Sequence, residues 1–537
     1  MTQTRRQFVF QSAATLAAAG FLPVRAWAAE TPVEAETAFG RIRGVDVDGI
    51  KTFKAIPYGA STAGRNRFRP PVDPAKWTGV RDALAYGPSA PQREPGTAPN
   101  TSDLAVAGAG MRQENEDCLV LNVWTPALGD NRKRPVMVWC HGGGFATGSG
   151  SSPITEGEAL ARRGDVVVVT LNHRLNVMGF TFLEEAGGAE FAGSGDAGML
   201  DIVHALKWVR DNIARFGGDA GNVTVFGQSG GGRKVATLLA MPAAKGLFHR
   251  AIIESGATLK VVERDQAARV AAELMKTLGV GPANVRELQT LPADRIMAAY
   301  FATMRRMNVD QMTMGFSPTM DGVHVAQHPF HPTASTVSPS VPLMLGSART
   351  ELTSSAAPAL FSLDDASLKA RIGALLGEHA ERALTTYRKT NPNATPSDLY
   401  FLIASDHRYS GPAMKIAERR AALGQGPVFL YYFRWESPLQ GGKFKSPHTI
   451  EIPFAFDNVK RAALTKDAPT AQALADKVSA SWLAFARSGN PSISLLPPWT
   501  PFNGRERATM VFDNESRVVN DPIREERLAI WAALGYA

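Results

Sequence analysis

Residues 227–231 read Gly-Gln-Ser-Gly-Gly, and Ser229 is the residue among them that can do covalent chemistry. A serine hydroxyl is a weak nucleophile until a base, an acid that orients the base, and donors for the resulting oxyanion surround it. The pattern G-x-S-x-G provides such a setting where a strand runs into a sharp turn and then a helix, so that the hydroxyl stands at the sheet edge. The flanks meet that condition: Val223, Val225 and Phe226 have strand character, and Val235 to Leu239 have helix character. Glycine costs a helix interior about 1 kcal/mol relative to alanine. Gly230, Gly231 and Gly232 at the helix start therefore point to close backbone approach. The positive end of that helix also favours negative charge developing at Ser229. A phosphate-binding loop or a plain tight turn is the competing reading of this stretch alone.

The partners such a serine needs can be sought at other strand ends. In VMVWCHGGGFATG an apolar strand ends in His141, Gly142, Gly143, Gly144 and Phe145. The unhindered N–H groups of Gly143 and Gly144, with that of Gly230, are candidate oxyanion donors. Downstream, His448 in KSPHTIEIPFAF lies in a loop after the strand ending near Trp435, and Glu351 stands beyond the strand VPLMLG. Asp321 and Asp457 are rival acids, with the character of turn or capping carboxylates. Among rival bases, His324, His328 and His331 lie in a Pro-punctuated region, His379 falls in a helical pattern, and His407 stands near a helix start. Three strand ends, each with one required residue type, favour Ser229, Glu351 and His448.

The elements that must position these residues alternate along the chain. Short strands (GRIRGVDV, IKTFKAIPYG) precede a Pro- and Gly-rich region at 59–115. Buried-type strands follow at 135–140 and 165–172. Next comes a helix from Asp196 to Phe216 with Leu200, Val203, Leu206, Val209 and Ile213 on one stripe. Further strands are read at 222–227, 250–255, 341–346 and 427–435, with helices at 265–279, 366–386 and 471–487. This alternation predicts an α/β fold, a large, mostly parallel sheet flanked by helices on both faces. No repeat or linker interrupts it, so residues 29–537 read as a single domain.

The first 28 residues are set apart. Arg5 and Arg6 precede Phe8, an apolar run from Ala13 to Leu22, and Ala26-Trp27-Ala28. This is the pattern of a twin-arginine export signal with an A-x-A cleavage site, implying a periplasmic or secreted protein. The formal charge of +8 includes Arg5, Arg6 and Arg25. Removing the segment leaves about +5, without a basic run or interleaved aromatics, which argues against nucleic-acid binding. No internal stretch approaches a membrane span. With 2 cysteines in an exported chain, disulfides are not what holds the fold together.

Taken together, NEDCLVLNVWTP, HGGGFATGS, NHRLNVMGF, ALKWVRDNIARFGGDAGNVTVFGQSGGG, HRAIIESG, TELT, HTIEIPFAF and WLAFARSGNPS resemble the type-B carboxylesterase family. That group includes nitrobenzyl esterases, liver carboxylesterases and cholinesterases, and the resemblance runs from about residue 33 to 530. It implies an α/β-hydrolase fold and ester hydrolysis through a covalent acyl-enzyme. It places the triad on Ser229, Glu351 and His448, the oxyanion hole on Gly143, Gly144 and Gly230, and a helper serine on Ser255. A small ester is the expected partner, with no cofactor and no metal. Two alternatives accompany this reading: a non-catalytic binding protein of the same fold, and a hydrolase of carbamates, amides or lactones using the same residues.

Departures from the family pattern are local. Gln228 stands where the family has glutamate, and Gly230 where it has alanine. Arg233 and Lys234 occupy positions where small residues are usual; they either add positive charge near the site, or face solvent or pair elsewhere. Asn172-His173-Arg174 replaces the usual strand end. Cys118 matches a cysteine that many relatives bridge to an upstream partner, absent here from 87–92, so Cys118 and Cys140 are both expected as free thiols.

Overall fold

The computed structural model describes residues 30–97, 113–308 and 315–536. The export-signal segment and part of the 59–115 region lie outside those residues. The valine-rich runs form strands because β-branched side chains pack well on a pleated surface buried on both faces. Arg134–Cys140, Val167–Leu171, Leu343–Ala348 and Val428–Phe433 are buried at every position. They belong to one 13-stranded sheet. Its strands, by first residue, run Thr31, Arg41, Ile50, Val120, Val167, Arg134, Gly218, Arg250, Leu343, Val428, Ala508 and Arg517, with Val80–Asp82 beside the Arg41 strand. From the Val167 strand to the Ala508 strand every pairing is parallel. The outer strands pair antiparallel, apart from Val80–Asp82.

Alternation along each strand feeds two cores. Val136, Val138 and Cys140 face the helix Ala197–Asn212, with its Met199, Ile202, Leu206 and Val209. Met137 and Trp139 face the opposite layer, where the helix Ala471–Ser488 brings Leu474, Val478, Trp482 and Phe485. Each buried large side chain stabilises the fold by about 1.5–3 kcal/mol. A one-residue slip would exchange the two sets of faces, so the register is firmly set.

That register gathers the site. Cys140 pairs with Gly227, Gln228 with Glu254, Glu254 with Gly346, and Ala348 with Phe433. The residues that follow these strand ends therefore emerge at one edge, the carboxyl end of a parallel sheet, where open α/β folds place their ligands.

The structure departs from the sequence expectations in places. The helix read at 366–386 is two, Asp365–Leu376 and Ala380–Thr390, because Gly377 takes φ +56° and breaks the ladder. His379 lies in the turn between them. The helix after Asp196 ends at Asn212 and tightens to a 3-10 turn over Ile213–Phe216. The strands Thr31–Glu36, Val120–Thr125, Ala508–Phe512 and Arg517–Asn520 were not anticipated. Thr31–Glu36 is an edge strand, mostly exposed, and so shows little of the apolar face that marks a strand in sequence.

Candidate active site

Ser229 sits between the strand Gly218–Gln228 and the helix Gly230–Leu238 with φ +58° and ψ −121°. A non-glycine residue there is strained, and such strain persists only where neighbours over-determine it. The determinants are visible. The Ser229 N–H donates to the Glu254 carbonyl (2.8 Å), and the Ser229 carbonyl accepts from the Arg233 N–H (3.0 Å). Glycine next to the serine is required by space: a Cβ on Gly231 would collide with the Cys140 carbonyl, and one on Gly230 with the backbone of Gly144.

The same close approach brings the glycine loop to the helix start. Gly143 and Gly144 have φ +86° and +64°, conformations that side chains disfavour. The Gly143 carbonyl accepts from Ala146 N–H (3.2 Å) and Thr147 N–H (3.0 Å), whereas the Gly143 and Gly144 N–H groups have no acceptor among the described residues. The Gly230 N–H opens the helix and belongs to the first turn, which has no intrahelical acceptors.

His448 donates from Nδ1 to Oε2 of Glu351 in a short hydrogen bond. Glu351 is buried, and its other oxygen accepts from the Ala348 N–H (2.7 Å), while its carbonyl accepts the His448 N–H (3.1 Å). Both oxygens of the acid are thereby fixed. Gln228, buried beside Ser229, places Nε2 at 3.3 Å from both ring nitrogens of His448. An amide equidistant from both nitrogens cannot point at either lone pair, so this contact is weak and leaves His448 Nε2 available. The Tyr409 ring packs against His448 with centroids 5.1 Å apart. Tyr409 comes from a π-helical turn, Asp406–Ser410, a distortion frequent at functional positions. Burial and then the nearby Glu351 charge push its phenol up to about 12.

Behind the imidazole lies a group of buried acids. Ser255, also at positive φ (+45°), donates to Glu451 rather than to His448 or Glu351. Burial first, and then the charge of Glu351, push Glu451 up to about 7. Glu254 accepts from Trp482 Nε1–H (2.7 Å), and burial followed by the charge of Glu451 pushes it up to about 8. Ser255 was expected near the triad, and its link runs through Glu451. Glu254, Glu451 and Tyr409 were missed as site residues.

Glu254 carries a pH dependence of stability. Folded, it keeps its proton to about pH 8; its ordinary value is 4.5. Between these values the folded state binds more protons than the unfolded chain, so stability falls as pH rises through that window. Glu254→Gln keeps an acceptor for Trp482 and removes the charge. The variant is expected to match the wild-type melting temperature at about pH 5 and to exceed it at about pH 9. Differential scanning calorimetry at the two pH values checks this; equal melting temperatures at the higher pH would contradict it.

The rival residues are engaged elsewhere. Asp321 accepts the N–H groups of Val323, His324 and Val325 and the His324 ring, a turn-closing role. Asp457 meets Arg163 and Gln472. His328 contacts Glu263. Cys118 and Cys140 are free and buried, and burial raises both thiols, that of Cys140 to about 12. Among the described residues, no three His, Cys, Asp or Glu side chains are grouped to hold a metal ion, and no helix is long and apolar enough to cross a membrane.

The carboxylesterase family model matches residues 30–531. The chain belongs to the carboxylesterase family. It is 35% identical over 506 residues to the para-nitrobenzyl esterase of Bacillus subtilis, covering 93% of this chain and 98% of that relative. It is 33% identical to phenmedipham hydrolase of Pseudarthrobacter oxydans, over 92% and 98% of the two chains. Among solved structures, carboxylesterase EST55 of Geobacillus stearothermophilus superposes with a TM-score of 0.80 at 33% identity, covering 93% of this chain and 99% of that one. This carboxylesterase has the α/β-hydrolase fold and is a carboxylic ester hydrolase of the serine hydrolase type.

Proposed function

We propose that this carboxylesterase cleaves small carboxylic esters through an acyl-enzyme on Ser229, with His448 as general base and acid and Glu351 as its orienting partner. Ser229 Oγ attacks the ester carbonyl carbon while His448 Nε2 takes the hydroxyl proton. The carbonyl oxygen becomes an oxyanion held by the N–H groups of Gly143, Gly144 and Gly230. Collapse expels the alcohol, which receives the proton from His448. A water then gives its proton to His448 and attacks the acyl carbon, and Ser229 leaves with that proton. Glu351 fixes the tautomer with Nδ1 protonated and stabilises the imidazolium at each transfer.

The observation that carries this reading is the commitment of His448 Nδ1 to a buried carboxylate whose other oxygen is also fixed. The Nε2 lone pair is then the one left for chemistry, and Gln228, the residue before the strained Ser229, reaches the same imidazole. Retention of all three residue types disfavours a purely binding role. The relative named for phenmedipham makes that compound a useful member of the substrate panel, beside p-nitrophenyl acetate and butyrate. Turnover of the p-nitrophenyl esters tests the proposal; a pure, folded enzyme inert toward every ester in the panel would contradict it.

Charge narrows the substrate class. Gln228 replaces the glutamate expected before the nucleophile, and burial raises the two nearby acids, Glu451 to about 7 and Glu254 to about 8, so that neither carries a full charge at neutral pH. A carboxylate about 6 Å from a bound cation contributes roughly 2–3 kcal/mol at an effective dielectric near 20. Without it, a cationic alcohol group gains little here. The kcat/KM for butyrylcholine is expected not to exceed that for 3,3-dimethylbutyl butyrate, its uncharged isostere. A clear preference for the choline ester would contradict this reading and require another anionic or aromatic subsite.

A further inference from the structure

Lys234, on the helix that begins after Ser229, is fully buried, an uncommon place for an amine. Its Nζ donates to the His141 carbonyl (2.8 Å), where the glycine loop begins, and lies 5.8 Å from the centre of the Phe145 ring just beyond that loop. The carbonyls that lead through the loop are all held. That of His141 accepts from Lys234, that of Gly142 from His141 Nδ1 (2.8 Å), and that of Gly143 from Ala146 and Thr147. A peptide is planar, so holding a C=O aims the N–H of the next residue: the His141 carbonyl sets that of Gly142 at the root of the loop, and the Gly142 and Gly143 carbonyls set those of Gly143 and Gly144. Glycines have no side chains to do this, and ordering them costs more entropy than ordering other residues.

The surroundings of the amine match it. His141 and His173 stack with ring centroids 4.9 Å apart. Each donates from Nδ1 to a backbone carbonyl, His173 to that of Arg174 (2.6 Å), and each leaves a buried Nε2 without a partner among the described residues. Burial, and then the charge of Lys234, hold both imidazoles well below their ordinary value, hence neutral, with Nε2 as an acceptor. Burial draws the Lys234 amine itself down to about 7. Its bond to His141 survives either way, because a neutral amine still donates.

We propose that Lys234 is a positioning residue of the oxyanion hole: by holding the His141 carbonyl it ties the root of the glycine loop to the nucleophile's own helix, and so fixes the place from which the Gly143 and Gly144 N–H groups reach the developing oxyanion. The proposal rests on the assignment of Ser229 and the backbone hole above. Lys234 does not touch substrate, and it is buried on a backbone carbonyl rather than facing solvent.

The test compares wild type, Lys234→Met and Ser229→Ala on p-nitrophenyl butyrate, with a trifluoromethyl ketone as a transition-state mimic. Losing one oxyanion donor outright costs about 10²–10³ in kcat, so a loosened loop should cost Lys234→Met about 10- to 100-fold. Its KM should stay within about threefold, since the loop acts chiefly on the transition state, and ketone affinity should fall in parallel with kcat/KM. Replacing a buried amine with an apolar chain of similar volume should leave the melting temperature close to wild type. Should Lys234→Met fail to fold, Lys234→Gln serves instead; its shorter side chain stops short of the His141 carbonyl. A folded variant with wild-type kcat, an effect on KM alone, or failure of both variants to fold would overturn the proposal. An active Ser229→Ala would instead sink the site assignment on which it rests.

Discussion

Ser229→Ala is expected to lower kcat for p-nitrophenyl butyrate by about 10⁶-fold with little change in melting temperature. The magnitude follows because the hydroxyl is the atom that forms the covalent intermediate, and neither His448 nor the glycine loop can substitute for it. What remains is the catalysis by binding and oxyanion donors alone. The fold should survive. The bonds that hold position 229, from its N–H to Glu254 and to its carbonyl from Arg233, are backbone bonds that alanine retains. Alanine at φ +58° is no more strained than serine, so stability should be nearly unchanged. Stopped assays with the purified variant, checked by circular dichroism, measure this. Activity within about 100-fold of wild type would point to another nucleophile.

Glu351→Gln is expected to lower kcat by about 10⁴-fold. The carboxylate accepts from Ala348 with one oxygen and from His448 Nδ1 with the other. An amide has a single acceptor oxygen. If it stays on the Ala348 N–H, the NH₂ group faces His448 and forces Nδ1 to become the acceptor. The ring proton then moves to Nε2, the nitrogen that must take the proton of Ser229. The imidazolium formed at each transfer also loses its counter-charge. Size and burial are preserved, so folding should persist. A loss below about tenfold would remove Glu351 from the orienting role and turn attention to Glu451, the other acid beside it.

The sequence made some of this legible and hid the rest for physical reasons. The serine's setting could be read because strand, turn and helix are consecutive, and because glycine in a helix start is costly enough to need a cause. The parallel core was readable from continuous apolar runs such as Val167–Leu171. Glu351 and His448 are 97 residues apart and meet only through strand order, so strand ends and family resemblance, rather than local chemistry, picked them out. Tyr409 could not be found this way: its contact with His448 depends on a π-helical turn that leaves no pattern. Glu254 reads as the end of an ordinary strand, and its raised proton affinity arises from burial and Glu451. The direction of Lys234 was equally hidden, since whether a helix lysine points inward depends on the layer packed over it. The single helix read at 366–386 failed because periodicity continued through Gly377 while the backbone did not.

The central claim is that Ser229 is the residue acylated during turnover, and mass analysis after reaction with an alkyl p-nitrophenyl phosphonate tests it most directly. The phosphonate phosphorus is attacked by the active hydroxyl, p-nitrophenolate leaves, and the adduct persists because its tetrahedral charge resembles the transition state. The account predicts one phosphonyl group per chain, carried by the peptide containing Ser229, forming in step with the loss of esterase activity and absent from Ser229→Ala. Stoichiometric labelling at Ser255 or Ser149, or complete inactivation with Ser229 unmodified, would contradict it.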